Sequence, residues 1–211
     1  VRSVAEAGLP VTGIASVWWK LPKWLACLLS LGQSKYESGV TAGERITQLT
    51  GTKAVCGHHE VGNVSLDDRC AGFAKGRGVD VPVLNGVMDP TEMKNRIIAH
   101  LKTNADTQFI LTVGIGGAEP GLMALDELGL TGKVKIGTFD LSPTILQATA
   151  DGKMEWGIDA QQYAMGYIPV VMFDLLKKYK IAPIADYPTG PGFVTGETAA
   201  SVIDLAKQGK R

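Results

Sequence analysis

Two charged residues in this chain stand where a ligand could reach them. Arg69 lies in the first turns of a helical stretch that follows a short strand, and Asp140 directly follows an apolar run and precedes Ser142-Pro143. Arginine offers five donors in a rigid fork, and a carboxylate accepts on both oxygens. Local readings stand beside this one. Arg69 can pair with Asp67 or Asp68 on the surface, and Asp140 can act as a helix cap. Gln161 follows another strand and offers an amide. Asn63 and Asp89 sit in loops ahead of helices, where they read equally as ligand contacts and as turn or cap residues.

Other chemistries find less support. The loop Gly114-Ile115-Gly116-Gly117 lacks the lysine of a P-loop and the spacing of a dinucleotide fingerprint. His58-His59-Glu60 could suggest a metal, but neighbouring side chains diverge and no third ligand is evident. The three cysteines, Cys27, Cys56 and Cys70, form no CxxC motif and no zinc-type set. Cys56 and Cys70 read either as two buried thiols or as a disulfide closing a loop of about 15 residues. No nucleophile elbow or triad pattern occurs. The expectation is that the chain carries no catalytic residue, no metal and no cofactor.

The elements that must position these residues alternate. Residues 53–56, 79–84, 107–113, 134–139 and 154–158 read as strands. Between them, 65–75 reads as a helix capped by Ser65, Asp89-Pro90 and Ser142-Pro143 read as helix starts, and Glu119-Pro120 reads as the opening of a helix stopped by Gly129. Strands separated by helices build a mostly parallel sheet covered on both faces. Ligands then bind at the carboxyl ends of the strands, in the loops around residues 58–63, 88–91, 114–119 and 140–142. Residues 1–16 read as a helix end and a strand over 9–14, 162–180 as a long helix, and Pro183, Pro188 and Pro191 mark an extended, returning segment.

Composition narrows the classes. Lys+Arg and Asp+Glu are 21 each, so net charge is zero, which argues against a nucleic-acid clamp or a polybasic membrane patch. Apolar residues at 45% and charged residues at 20% are ordinary globular values, which argues against disorder. The 26 glycines suit many tight strand-to-helix turns. The tryptophan-rich stretch 17–31 is too short and interrupted to span a bilayer and reads as a buried segment, with an interfacial anchor as the alternative.

Several runs, in order, resemble one family. They are Gly8-Leu9-Pro10-Val11, then Gly32-Gln33 with Tyr36-Glu37 and Gly39, then Arg69 with Gly72-Phe73. Thr138-Phe139-Asp140-Leu141-Ser142-Pro143, Ala150-Asp151-Gly152-Lys153, Ile158-Asp159-Ala160-Gln161-Gln162-Tyr163 and Gly190-Pro191-Gly192-Phe193 follow. Together they look like the periplasmic sugar-binding proteins of ABC importers, of the ribose/galactose type with the type I periplasmic binding fold. The resemblance implies an α/β fold of two Rossmann-like lobes closing on a small sugar or polyol, and an ABC transporter permease as partner. It implies a periplasmic or membrane-tethered extracellular location, with the export signal outside this chain. It implies ligand contacts at Arg69, Asp140, Gln161, Asn63 and Asp89. It assigns 1–16 and 161–188 to a partial amino-side lobe whose first strands would precede Val1. Residues 33–160 form the carboxyl-side lobe, to which 189–211 return. Gly114–Gly117 departs from the Asn-Asp common in ribose-type members, and Ala160 from a common Gln. The alternative is the effector-binding domain of a sugar-responsive transcription regulator, which shares the fold.

Overall fold

The computed structural model describes residues 3, 4, 7, 9–14, 27–49, 53–182 and 185–211. The tryptophan-rich stretch expected to be buried falls largely on 17–26, outside the described residues. The chain divides into two compact units, one made of 1–34 and 160–192, the other of 35–159 and 193–211.

The larger unit is built on apolar runs bounded by capped helices. In chain order these are α1 (Lys35–Thr47), β3 (Ala54–His58), α2 (Val64–Arg77), β4 (Val83–Asn85) and α3 (Pro90–Thr103). Then come β5 (Phe109–Thr112), α4 (Ile115–Glu127), β6 (Lys135–Phe139), α5 (Pro143–Ala150) and β7 (Trp156–Asp159). β9 (Gly192–Thr195) and α7 (Gly196–Lys207) close the unit. The sheet runs in the order β4-β3-β5-β6-β7-β9, and the pairings from β4 through β7 are parallel. Alternate residues feed opposite faces, as the period of two requires. Val55, Ile110 and Ile136 pack under Met93, Ile97, Leu125 and Ile145 of α3, α4 and α5. Cys56, Phe109, Leu111 and Phe139 pack under Ala42, Ile46, Leu66 and Phe73 of α1 and α2. Leu146, Val194 and Ala199 join α5, β9 and α7 in a smaller cluster.

The smaller unit holds a three-stranded sheet in the order β1 (Val11–Ile14), β2 (Cys27–Gly32), β8 (Tyr187–Pro188), all parallel, with α6 (Gln162–Tyr179). The returning segment is fastened by polar contacts. Asp186 Oδ1 accepts from Ser30 N at 2.8 Å, and the Thr189 hydroxyl donates to Ala160 O at 2.6 Å.

Three local expectations need correction. α2 is capped by Asn63, whose side chain accepts from Ser65 N, so Ser65 lies inside the helix instead of ahead of it. α4 begins at Ile115, before Glu119-Pro120. The glycine loop already turns helically, with Gly117 and Ala118 N–H both donating to Gly114 O, and Pro120 sits in the second turn at the cost of one intrahelical bond. The strand expected over 79–84 is shorter and later, at Val83–Asn85. The starts at Asp89-Pro90 and Ser142-Pro143 are as expected, with both side chains capping.

Candidate functional site

In the larger unit, β3 is followed by α2, which leads outward to β4. β5 is followed by α4, which leads the other way to β6. The crevice between β3 and β5 is therefore a topological switch point, where open α/β sheets bind ligands. Arg69, in α2, reaches this place. The sulfurs of Cys70 and Cys56 are bonded, which fastens the helix to β3 with the two Cα atoms 5.8 Å apart. Gly39 and Gly43 of α1 face Gly72 and Gly76 of α2, and a methyl group on any of the four would strike backbone of the other helix. The two helices thus touch along their backbones, and this sets how far Arg69 projects.

Arg69 is 5% exposed. Its Nη1 donates to Val113 O at 2.6 Å, just past β5, and to Asp140 Oδ2 at 3.1 Å, just past β6. Its guanidinium carbon lies 4.4 Å from the centroid of the Phe139 ring, a cation–π distance. The Arg69 Nε is buried with no hydrogen-bond partner. Asp140 adopts φ 65°, in the left-handed region that few residues other than glycine enter, with Asp among the tolerated ones. Its N–H donates to Ile158 O at 2.9 Å, so the turn is anchored while the carboxylate, a quarter exposed, meets Arg69. Backbone held in a sparse region at a strand end is a common mark of functional sites.

His59 and Lys35 complete the cluster. The His59 ring lies over the glycine loop: a Cβ on Gly114 would stand 2.8 Å from Cε1, and one on Gly116 2.9 Å from Cδ2. Glycine there makes room for the ring. His59 Nδ1 is buried without a partner. Burial lowers the His59 pKa below 6.5; His58 and Arg69 push the same way, against Glu60 and Asp140. Lys35, in the first turn of α1, is 8% exposed. Burial lowers its pKa below 10.5, Arg69 adds to the shift, and Asp140 opposes it. His58 is wholly buried, with Nε2 3.0 Å from Asp67 Oδ1 but off the line a hydrogen bond needs.

The structure thus brings together Arg69 and Asp140 of the residues singled out from sequence. Asn63 caps α2 and binds Glu60 through its amide at 3.0 Å. Asp89 is exposed and caps α3. Gln161 belongs to the smaller unit, at φ 55° ahead of α6. Sequence reasoning missed Lys35, the His59 ring as a wall and the Val113 carbonyl. A lone lysine at a helix start carries no signal of burial, and a carbonyl carries none at all. The paired glycines at spacing four in α1 and α2 were visible but did not say which helices met. Among the described residues, no group of three or more His, Cys, Asp or Glu could hold a metal ion, and no helix is long and apolar enough to cross a membrane.

The chain is similar to known proteins. The xylose/arabinose-binding protein of Sulfolobus acidocaldarius is 27% identical over 179 residues, covering 78% of this chain and 44% of the relative. The chain therefore spans under half the length of that curated relative. Among solved structures, a carbohydrate transporter from Acidothermus cellulolyticus in complex with myo-inositol superposes with a TM-score of 0.83 at 27% identity, over all of this chain and 73% of that one. An arabinose binding protein from Geobacillus stearothermophilus shares the fold at a TM-score of 0.79 and 22% identity, over 95% of this chain and 73% of its own. The sequence signature of the periplasmic binding protein domain covers residues 1–180, and the chain belongs to that family.

Proposed function

We propose that the chain is the solute-binding part of an ABC-type sugar importer, holding a small sugar or polyol against the Arg69–Asp140 pair. The observation that carries this is the convergence of a buried guanidinium, a carboxylate and an apolar ring at the switch point of a parallel sheet. Arg69 donates to ring hydroxyls and Asp140 accepts from them. A ligand lacking those hydroxyls would leave both groups unpaired, which is how such a site selects. In this reading closure of the whole protein on its ligand shifts the population toward the bound state. The protein works by binding alone, outside the cytoplasm, and delivers its ligand to a permease. The Acidothermus relative named above is a carbohydrate transporter and the Sulfolobus one a xylose/arabinose-binding protein, which supports this over the effector domain of a transcription regulator.

Isothermal titration with D-xylose, L-arabinose and myo-inositol, the ligands in the relatives' names, tests the reading. Saturable heat with one of them is the expected result. A folded sample that gives no heat with any of these or with a wider panel of pentoses, hexoses and polyols contradicts it.

A further inference from the structure

His58 ends β3, and His59 and Glu60 follow it. Two of these three residues are held close to home. His58 Nδ1 accepts from Glu60 N at 3.3 Å, and Glu60 Oε2 accepts from the Asn63 amide at 3.0 Å. His59 instead lies across the switch point, against the loop after β5. A Cβ on Gly116 would stand 3.3 Å from its Nε2, and one on Gly114 2.8 Å from its Cε1. Gly114, at φ 165°, is extended backbone that any residue adopts, so what calls for glycine there is the ring. That same Cβ position lies 3.5 Å from His59 Nε2 and 3.7 Å from Asp140 Oδ2. The two atoms are therefore no more than about 7 Å apart, a gap that one or two hydroxyl oxygens bridge at about 2.8 Å per hydrogen bond. The other ring nitrogen, Nδ1, is buried with no hydrogen-bond partner among the described residues. Orphaned buried N–H groups are rarer than orphaned acceptors, which puts the proton of the neutral ring on Nε2.

We propose that His59 is a specificity-determining contact of this site, its Nε2–H donating to a sugar hydroxyl at the Gly114 edge, shared with or next to the hydroxyl that Asp140 accepts from. The inference rests on the sugar-receptor reading and adds a third polar contact to it. A hydroxyl can accept from an imidazole N–H and donate to a carboxylate at once. The loop Gly114-Ile115-Gly116-Gly117 brings no polar side chain of its own, and the ring laid over it supplies one from the neighbouring strand end. A sugar without that hydroxyl would leave the N–H unpaired, and a site built to bond a hydroxyl rejects the analogue lacking it. A ring that only walled the site would not tell the two apart.

The test is calorimetric titration of the chain with D-xylose, L-arabinose, myo-inositol and the wider panel, then with monodeoxy analogues of the sugar that binds most tightly. His59→Phe keeps a ring against the glycines and removes the donor, and His59→Gln keeps a donor near the place of Nε2. The unaltered chain should bind one monodeoxy analogue about tenfold less tightly than its parent, equivalent to about 1.4 kcal/mol. His59→Phe should lose about tenfold in affinity for the parent but bind that analogue as the unaltered chain does, so the ratio between the two falls toward one. His59→Gln should recover part of the ratio. Circular dichroism checks that each variant folds, and His59→Leu serves if the phenylalanine variant does not. Parent and every analogue weakened alike in His59→Phe, or a parent bound as tightly as before, overturns the contact and leaves the receptor reading standing. A folded chain that binds no sugar of the panel overturns both.

Discussion

At the scale of single residues, the cluster trades stability for binding. Lys35 is 8% exposed, and burial, which disfavours its charged form, lowers its pKa below 10.5. Lys35→Met should therefore stabilise the unliganded chain, by about 1 kcal/mol, read as a higher urea midpoint. An unchanged or lower midpoint would show that the ammonium is not strained by its site. His59 makes the chain sensitive to acid. Its pKa is lowered in the fold, by burial first, and returns to its ordinary value near 6.5 on unfolding. The unfolded chain then takes up a proton before the folded one does. The stability held above pH 6.5 is lost as pH falls below it. His100, also lowered by burial, acts in the same sense. The melting temperature should fall as pH drops from about 7.5 to about 5.5, and His59→Gln should flatten that slope. An equal slope in the variant would remove His59 from the account. Asp140 was legible because it directly follows a strand, and Arg69 because it stands with Gly72-Phe73 in the run that resembles the family. Lys35 was not, because burial of a lysine depends on what the chain packs around it.

At the scale of elements, α1 and α2 decide whether Arg69 reaches Val113 and Asp140. Their glycines let the backbones touch, and a Cβ on Gly72 would collide with the Tyr36 carbonyl. Backbone cannot give way as a flexible side chain can. Gly72→Ala should cost about 3 kcal/mol and weaken ligand binding by moving Arg69. A variant with wild-type midpoint and affinity would show that the helices separate without penalty. Helix starts marked by a cap followed by proline were legible at Asp89-Pro90 and Ser142-Pro143 because both signals agree. The start of α2 was misread because Asn63 and Ser65 are both good caps two residues apart, and only the backbone decides between them. The start of α4 was misread because glycine signals a loop although it can also take the first helical turn.

At the scale of the whole molecule, the alternation of strands and helices was enough to imply a parallel α/β sheet with ligand loops at the carboxyl ends. The strand order was not legible, because which strands become neighbours depends on crossovers between distant segments. It is that order which puts the loops after β3 and β5 side by side. The bond between Cys56 and Cys70 secures the same region. Opening it frees a loop of about 15 residues in the unfolded chain and should cost about 3 kcal/mol, seen as a lower urea midpoint with reductant. Coincident midpoints, with three free thiols before reduction, would refute this. The claim on which the rest depends is that the switch-point cluster of the larger unit receives the sugar. NMR of the chain titrated with D-xylose, L-arabinose and myo-inositol tests it most directly. The account predicts saturable shifts at Gly114, Asp140, the Arg69 guanidinium and the His59 ring. Shifts confined to the surface groove between α4 and α5, lined by Leu122, Asp126, Gln147 and Asp151, or no shifts with any of the three, would contradict it.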